Sequence, residues 1–232
     1  MPLPMVHLSV AKKIIEAGFE IKDLSRFYLG SISPDAIHMR ENADRLAKKI
    51  THLGRSSSAS MNFTDESEDG YINIMLDFVK TNTDKINIDF LWGYIIHILI
   101  DMYWSEMVHN KFTEDYKKDT APIQDERWAY YNDTDILDQV LFNECEWKDD
   151  VWQSLQNVDY FDFLDLLSAQ EIKAWNERTL HWFDSGESQH KNPIKYITKS
   201  DIENFISVCS ETIRNKIIES NKYKDAQEIE IA

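Results

Sequence analysis

Cysteine, glycine and proline are all scarce in this 232-residue chain, with 2, 6 and 5 respectively. Cys145 and Cys209 lie far apart and form no CxxC pair, so a disulfide framework is not expected and both read as reduced, packed thiols. So few glycines and prolines supply too few turn residues for an all-β sandwich or barrel, which favours helices. Basic residues are also short: 25 Lys and Arg against 41 Asp and Glu give a net charge of −16. That balance argues against a nucleic acid duplex, which needs a basic footprint, and against tight adsorption to anionic membranes. A phosphorylated small molecule is still admitted, because a bound metal can invert the local potential; the plainest consequence of the acidity is solubility. No run of 18 apolar residues occurs. The best stretch, Phe90 to Met107, is broken by His97, Asp101 and Glu106 and reads as a buried helix, so integral membrane association is not expected. The first residues show no basic region followed by an apolar one, so no secretory signal is expected and a cytoplasmic location is. The motifs GxxxxGK[ST], GxGxxG and GxSxG are missing, as is an adjacent His-Asp pair. P-loop, Rossmann, serine-hydrolase and HD-type phosphohydrolase readings therefore have no support.

What is present is apolar material, 43% of the residues, enough to bury a sizeable core. Its spacing predicts an all-α protein, a single-domain multi-helix bundle over residues 1–232. Val6, Val10, Ile14 and Ala17 mark a first helix stopped by Gly18, with His7 in its first turn. A short helix follows the Asp23 cap, and Gly30 to Asp35 reads as a turn-rich junction. Ala43 to Ile50 reads as a short amphipathic helix ending near Thr51-His52, and Tyr71 to Val79 as helical. Asn87 to about Asp115 is the strongest helix, apolar nearly all round and so expected at the centre. Further helices are expected over 126–144, in short pieces over 147–167, over 169–184 after a Ser168 cap, and over 200–220 after a Ser200 cap. Residues 55–70, serine-rich and then acidic, read as a flexible loop, and 221–232 as a frayed tail.

The chemistry starts in Gly93-Tyr94-Ile95-Ile96-His97-Ile98-Leu99-Ile100-Asp101. His97 and Asp101 are four apart on a helix, so one face presents both, and such a pair can hold a divalent ion without rearranging the backbone. Their neighbours are aliphatic, and a buried carboxylate is costly unless paired or metal-bound. The plain alternative is a His97–Asp101 hydrogen bond inside the core. His7, Asp35 after Pro34, and His52 after Thr51 complete an H…D…H…HxxxD series of ligand types that zinc accepts.

The segments Val6-His7-Leu8-Ser9-Val10-Ala11-Lys12-Lys13, Phe27-Tyr28-Leu29-Gly30-Ser31-Ile32-Ser33-Pro34-Asp35, Thr51-His52 and Gly93 to Asp101, in this order, resemble the zinc-dependent phospholipase C family. Its all-helical fold is shared with zinc-dependent single-strand nucleases, and its secreted members hold three zinc ions in a cleft and cleave a phosphodiester. The resemblance covers residues 5 to about 104 by motif and the remainder by helix content. It implies that Asp35, His52, His97 and Asp101 hold one zinc ion, that His7 joins a second with Asp101 bridging, and that Asp35 acts catalytically by orienting the attacking water. Two features depart from the family. Its secreted members use their free N-terminal residue as a ligand, whereas His7 lies several residues in. Its third metal needs a histidine where Met107 stands, with His109 off that spacing, and an HxxxE pair that does not occur. A third ion is therefore not expected.

The sequence thus points to a metal-dependent hydrolase of a phosphomonoester or phosphodiester that acts through a metal-activated water. One or two zinc ions, or another divalent metal, would be the cofactor and a small phosphorylated molecule the substrate. The alternatives are a non-catalytic helical protein that keeps the fold and one metal, and a metal-free interaction protein in which His97 and Asp101 form a simple buried pair. His38, three residues after Asp35, His109 and Asp133 are candidates for supporting positions around the ligands. His181 and His190 lie in polar segments and read as surface. The aromatic and acidic run from Trp128 to Asp135 reads mainly as packing and capping, and alternatively as cleft lining.

Overall fold

Helices α1 (Pro4–Glu16), α2 (Leu24–Ile32), α3 (Arg45–Thr51), α4 (Glu68–Asn82), α5 (Ile88–Trp104), α6 (Asn110–Lys118), α7 (Glu126–Glu144), α8 (Lys148–Gln156), α9 (Ala169–His181) and α10 (Lys199–Ile231) make up the computed structural model. It describes residues 3–54, 68–186, 188, 190 and 192–231, with 221–231 as backbone only. No strand occurs among the described residues, only an isolated antiparallel bridge between Phe163 and Leu167. The protein is all-α in these regions. No described helix is long and apolar enough to cross a membrane.

The centre is α5, in which every residue except Ile88 and Trp92 is buried. Its strongest partner is α2, and the sequence explains how closely they meet. A Cβ on Gly30 would lie 2.2 Å from the Phe90 carbonyl oxygen, and one on Gly93 would lie 2.1 Å from that of Phe27. These distances leave room for no side chain, so the two glycines let the helix backbones touch. Asp89, buried near the start of α5, accepts hydrogen bonds from the Lys22 and Asp23 amides (3.2 and 2.7 Å) and so fixes the entry to α2.

Several local expectations change. Residues 30–35 do not form a turn. Helix α2 runs through Ile32 and passes into a 3₁₀ segment, Ser33–Met39, in which Pro34 occupies an early position that needs no N–H. Gly30 is there for close approach, which a local pattern reads as a turn signal. The helix expected over 87–115 contains one π turn, Ser105–His109. Most of the loop expected at 55–70 lies outside the described residues, while 68–70 begin α4. The segment expected as a frayed tail continues α10 to Ile231. That helix is capped by Thr198 rather than Ser200. Thr198 Oγ1 accepts from the Asp201 amide (3.2 Å), and Asp201 accepts in return from the Thr198 amide (2.8 Å). The expected Ser168 cap forms a full capping box with Glu171. Both cysteines are free, and Cys209 is fully buried.

Candidate metal centre

The five side chains His7, Asp35, His52, His97 and Asp101 are all buried, and the fold brings them together. His7 comes from the first turn of α1, whose leading amide, that of Met5, donates to Asp138 Oδ1 in α7 (3.0 Å). Asp35 comes from the 3₁₀ segment and His52 from the C-terminal cap of α3, while His97 and Asp101 share one face of α5. The Tyr94 hydroxyl of α5 donates to the Thr51 carbonyl (2.5 Å), tying the end of α3 to the central helix.

Two of the imidazoles have their orientation and proton position set by the backbone. His97 Nδ1 lies 2.8 Å from the Ser31 carbonyl, and His52 Nδ1 lies 3.0 Å from the Lys48 carbonyl. A carbonyl can only accept, so both Nδ1 atoms carry a proton and each ring turns its Nε2 inward. Ser31 has a carbonyl to spare because it lies in the last turn of α2, where intrahelical donors run out. The glycine contact between α2 and α5 brings that carbonyl within reach. His7 is held differently: its ring stacks on His97, with centroids 3.8 Å apart and planes 2° from parallel.

The inward atoms converge. Asp101 presents Oδ1 to His7 Nε2 at 3.6 Å and Oδ2 to His52 Nε2 at 3.5 Å. Asp35 presents Oδ1 to His52 Nε2 at 3.5 Å and Oδ2 to His97 Nε2 at 3.9 Å. Donor atoms of His7, Asp35 and His97 lie within 4.8 Å of one another, and so do those of His52, His97 and Asp101. Among the described residues, the Nε2 atoms of His7, His52 and His97 and both oxygens of Asp101 are buried without a hydrogen-bond partner. Each such atom costs about 1–3 kcal/mol, so the five together approach the roughly 5–15 kcal/mol by which a whole domain is stable. A divalent cation offsets that cost directly, and nitrogen and carboxylate donors at these spacings suit one. His97 and Asp101 make no hydrogen bond to each other, contrary to what the simple buried pair requires.

Electrostatics match a site prepared for a cation. Burial lowers the pKa of His7 well below its ordinary value, with neighbouring His97 adding to the effect. Burial likewise lowers that of His97 against the pull of Asp35 and Asp101. Both rings therefore stay neutral and able to coordinate. For Asp35 burial acts upward, but Lys48 and the His52 contact outweigh it and hold the carboxyl well below the usual range. Lys48 Nζ lies 3.1 Å from Asp35 Oδ1.

Three residues of the centre, His7, Asp35 and His97, form part of the wall of a cleft of about 1140 Å³. His38 lines it, half-exposed, with Nε2 3.7 Å from Asp35 Oδ1 and 3.2 Å from Lys48 Nζ. His109 also lines it, packed against Phe112 and Tyr130 and not joined to the five. The π turn accounts for this position, because it absorbs one extra residue and returns His109 toward the face of Asp101. Asp133 does not take part. It is buried elsewhere and accepts from the amides of Lys195, Tyr196 and Ile197, which tethers the approach to α10. His190, expected at the surface, lines the cleft and pairs with Asp135 at 2.9 Å, whereas His181 is exposed and pairs with Asp184. Trp128, Tyr130, Tyr131 and Asp135 line the cleft, and Trp128 is 49% exposed there. Sequence reasoning passed over Lys48 and Arg178, which carried no local signal.

Fold and site together define an all-helical protein with a buried histidine–aspartate cluster able to hold a metal ion. No protein-family model matches the chain, and no curated protein or solved structure matches it.

Proposed function

We propose that the protein is a metal-dependent hydrolase of phosphoesters, a divergent relative of the zinc-dependent phospholipase C family. The observation that carries this reading is the convergence of partnerless Nε2 atoms and both Asp101 oxygens in one buried cluster, whose His7, Asp35 and His97 line a cleft large enough for a small substrate. Asp35, His52, His97 and Asp101 would hold one zinc ion, and His7 would join a second that shares Asp101. Zinc bound there supplies a Lewis acid that activates water near neutral pH and offsets phosphoryl charge.

The chain's own groups do the remainder. Asp35 is kept anionic by Lys48, which suits a carboxylate that orients an attacking water. His38, 3.7 Å from the same carboxylate and partly open to solvent, gives a released proton a way out through Nε2. The ordered motifs from His7 to Asp101 support the family relation.

Zinc-loaded protein should turn over p-nitrophenyl phosphate or bis(p-nitrophenyl) phosphate. The preferred compound separates monoesterase from diesterase, and activity should vanish on chelation and in Asp101→Asn. Full metal occupancy with no turnover of either compound would contradict the proposal. It would favour a second reading, a non-catalytic metal-binding protein. That reading has one observation behind it: the Lys48 ammonium already engages Asp35, which leaves fewer carboxylates for a reactive pair of ions.

A further inference from the structure

We infer that Arg178 is the oxyanion-binding residue of this cleft and grips the phosphoryl group presented to the metal centre; the inference builds on the phosphoester reading above. Arg178 lies on α9 between Trp175 and Trp182. The spacings of three and four residues place all three on one face of the helix. The guanidinium carbon sits 4.8 Å from the Trp175 ring centroid and 4.7 Å from that of Trp182, and all three residues line the cleft. Helix α9 packs against the 3₁₀ segment that carries Asp35. The link is continuous: Trp175 lies 5.8 Å from the His38 ring, and His38 is 3.7 Å from Asp35.

Arg178 has no hydrogen bond or ion pair among the described residues, although the chain holds 41 acids and only 25 bases. Arg40 and Arg26, by contrast, are engaged elsewhere. Arg40 chelates Glu171 and also donates to the Leu166 carbonyl, while Arg26 donates to the Asp159 carbonyl. The two cleft carboxylates whose fields reach Arg178 are Asp35 and Asp135. Each already has its own partner, Lys48 Nζ at 3.1 Å and His190 Nε2 at 2.9 Å. Stacking on indole uses the face of a guanidinium and leaves its in-plane N–H donors free, and a planar fork of donors matches two oxygens of a phosphoryl group. In so acidic a protein such a group serves to admit an anion to the site.

The test uses phenylphosphonate, which cannot be hydrolysed, titrated by calorimetry into wild type, Arg178→Gln and Arg178→Lys. Each is measured zinc-loaded and zinc-free, with zinc content determined in parallel. The expected result is unchanged zinc content and phosphonate binding about 10-fold or more weaker in Arg178→Gln, with Arg178→Lys intermediate because it keeps the charge and loses the fork. Equal phosphonate affinity in wild type and Arg178→Gln would overturn the inference, as would no phosphonate binding by zinc-loaded wild type. Turnover of p-nitrophenyl compounds with an unchanged KM in Arg178→Gln would also overturn it while leaving the hydrolase standing. Phosphonate binding that depends on Arg178 in a protein that hydrolyses nothing would retain the anion site and sink the hydrolase.

Discussion

At the residue scale, burial sets the behaviour of the clustered histidines. His7 and His97 are enclosed and their pKa values are lowered, chiefly by desolvation. In the metal-free protein they refuse protons that the unfolded chain accepts below its ordinary imidazole value of 6.5. The unfolded state then binds more protons than the folded one, so stability is fully present above that pH and falls as pH drops through it. Asp35, also lowered, adds a loss of the same sign at more acid pH, below its ordinary 3.8. The urea midpoint of zinc-free protein should therefore fall between about pH 7.5 and 5.5, and fall less in His97→Gln. A flat midpoint over that range would mean that these rings are open to solvent. His97 and Asp101 stood out in sequence because HxxxD on an aliphatic helix puts a histidine and a carboxylate on one buried face, whereas His7, Asp35 and His52 were picked out by residue type and by the ordered resemblance. Asp133 was misjudged because its partners, the amides of 195–197, lie more than sixty positions away and give no local sign.

At the scale of elements, the site depends on how tightly α2 and α5 meet. Gly30 and Gly93 set that distance, and through it the reach of the Ser31 carbonyl to His97 Nδ1. In Gly93→Ala the added carbon would meet backbone rather than a movable side chain, so the helices must separate. Thermal denaturation should show a loss of about 3 kcal/mol or more, at the upper end of overpacking costs. Zinc affinity should fall at least about 10-fold as the second-sphere hydrogen bond to His97 is lost. Normal zinc affinity in a folded Gly93→Ala protein would show that this contact does not orient the ligand. Most of the helices could be read from apolar spacing and caps such as Asp23 and Ser168. The 30–35 region could not, because glycine, serine and proline signal turns locally whereas here they serve helix contact and a 3₁₀ start. The π turn that redirects His109 likewise has no sequence signature.

At the scale of the whole molecule, a chain of net charge −16 gathers Lys48, Arg178 and Arg127 along the same cleft as its histidine–aspartate cluster. Such a distribution suits an anionic ligand drawn into a locally cationic site once a divalent ion is bound. The N-terminal half of the cleft was foreseeable from ordered motifs. The far part of the lining was not, since Arg178 and His190 acquire meaning only when the fold carries them into the same cleft as Asp35. The central claim is that the five buried ligands bind metal, and elemental analysis of the purified protein tests it most directly, with wild type compared against His97→Ala after incubation with zinc and removal of the excess. One or two equivalents of zinc in wild type and a loss of at least one equivalent in a folded His97→Ala protein are predicted. No bound metal in wild type after incubation with zinc, manganese or iron would contradict the account.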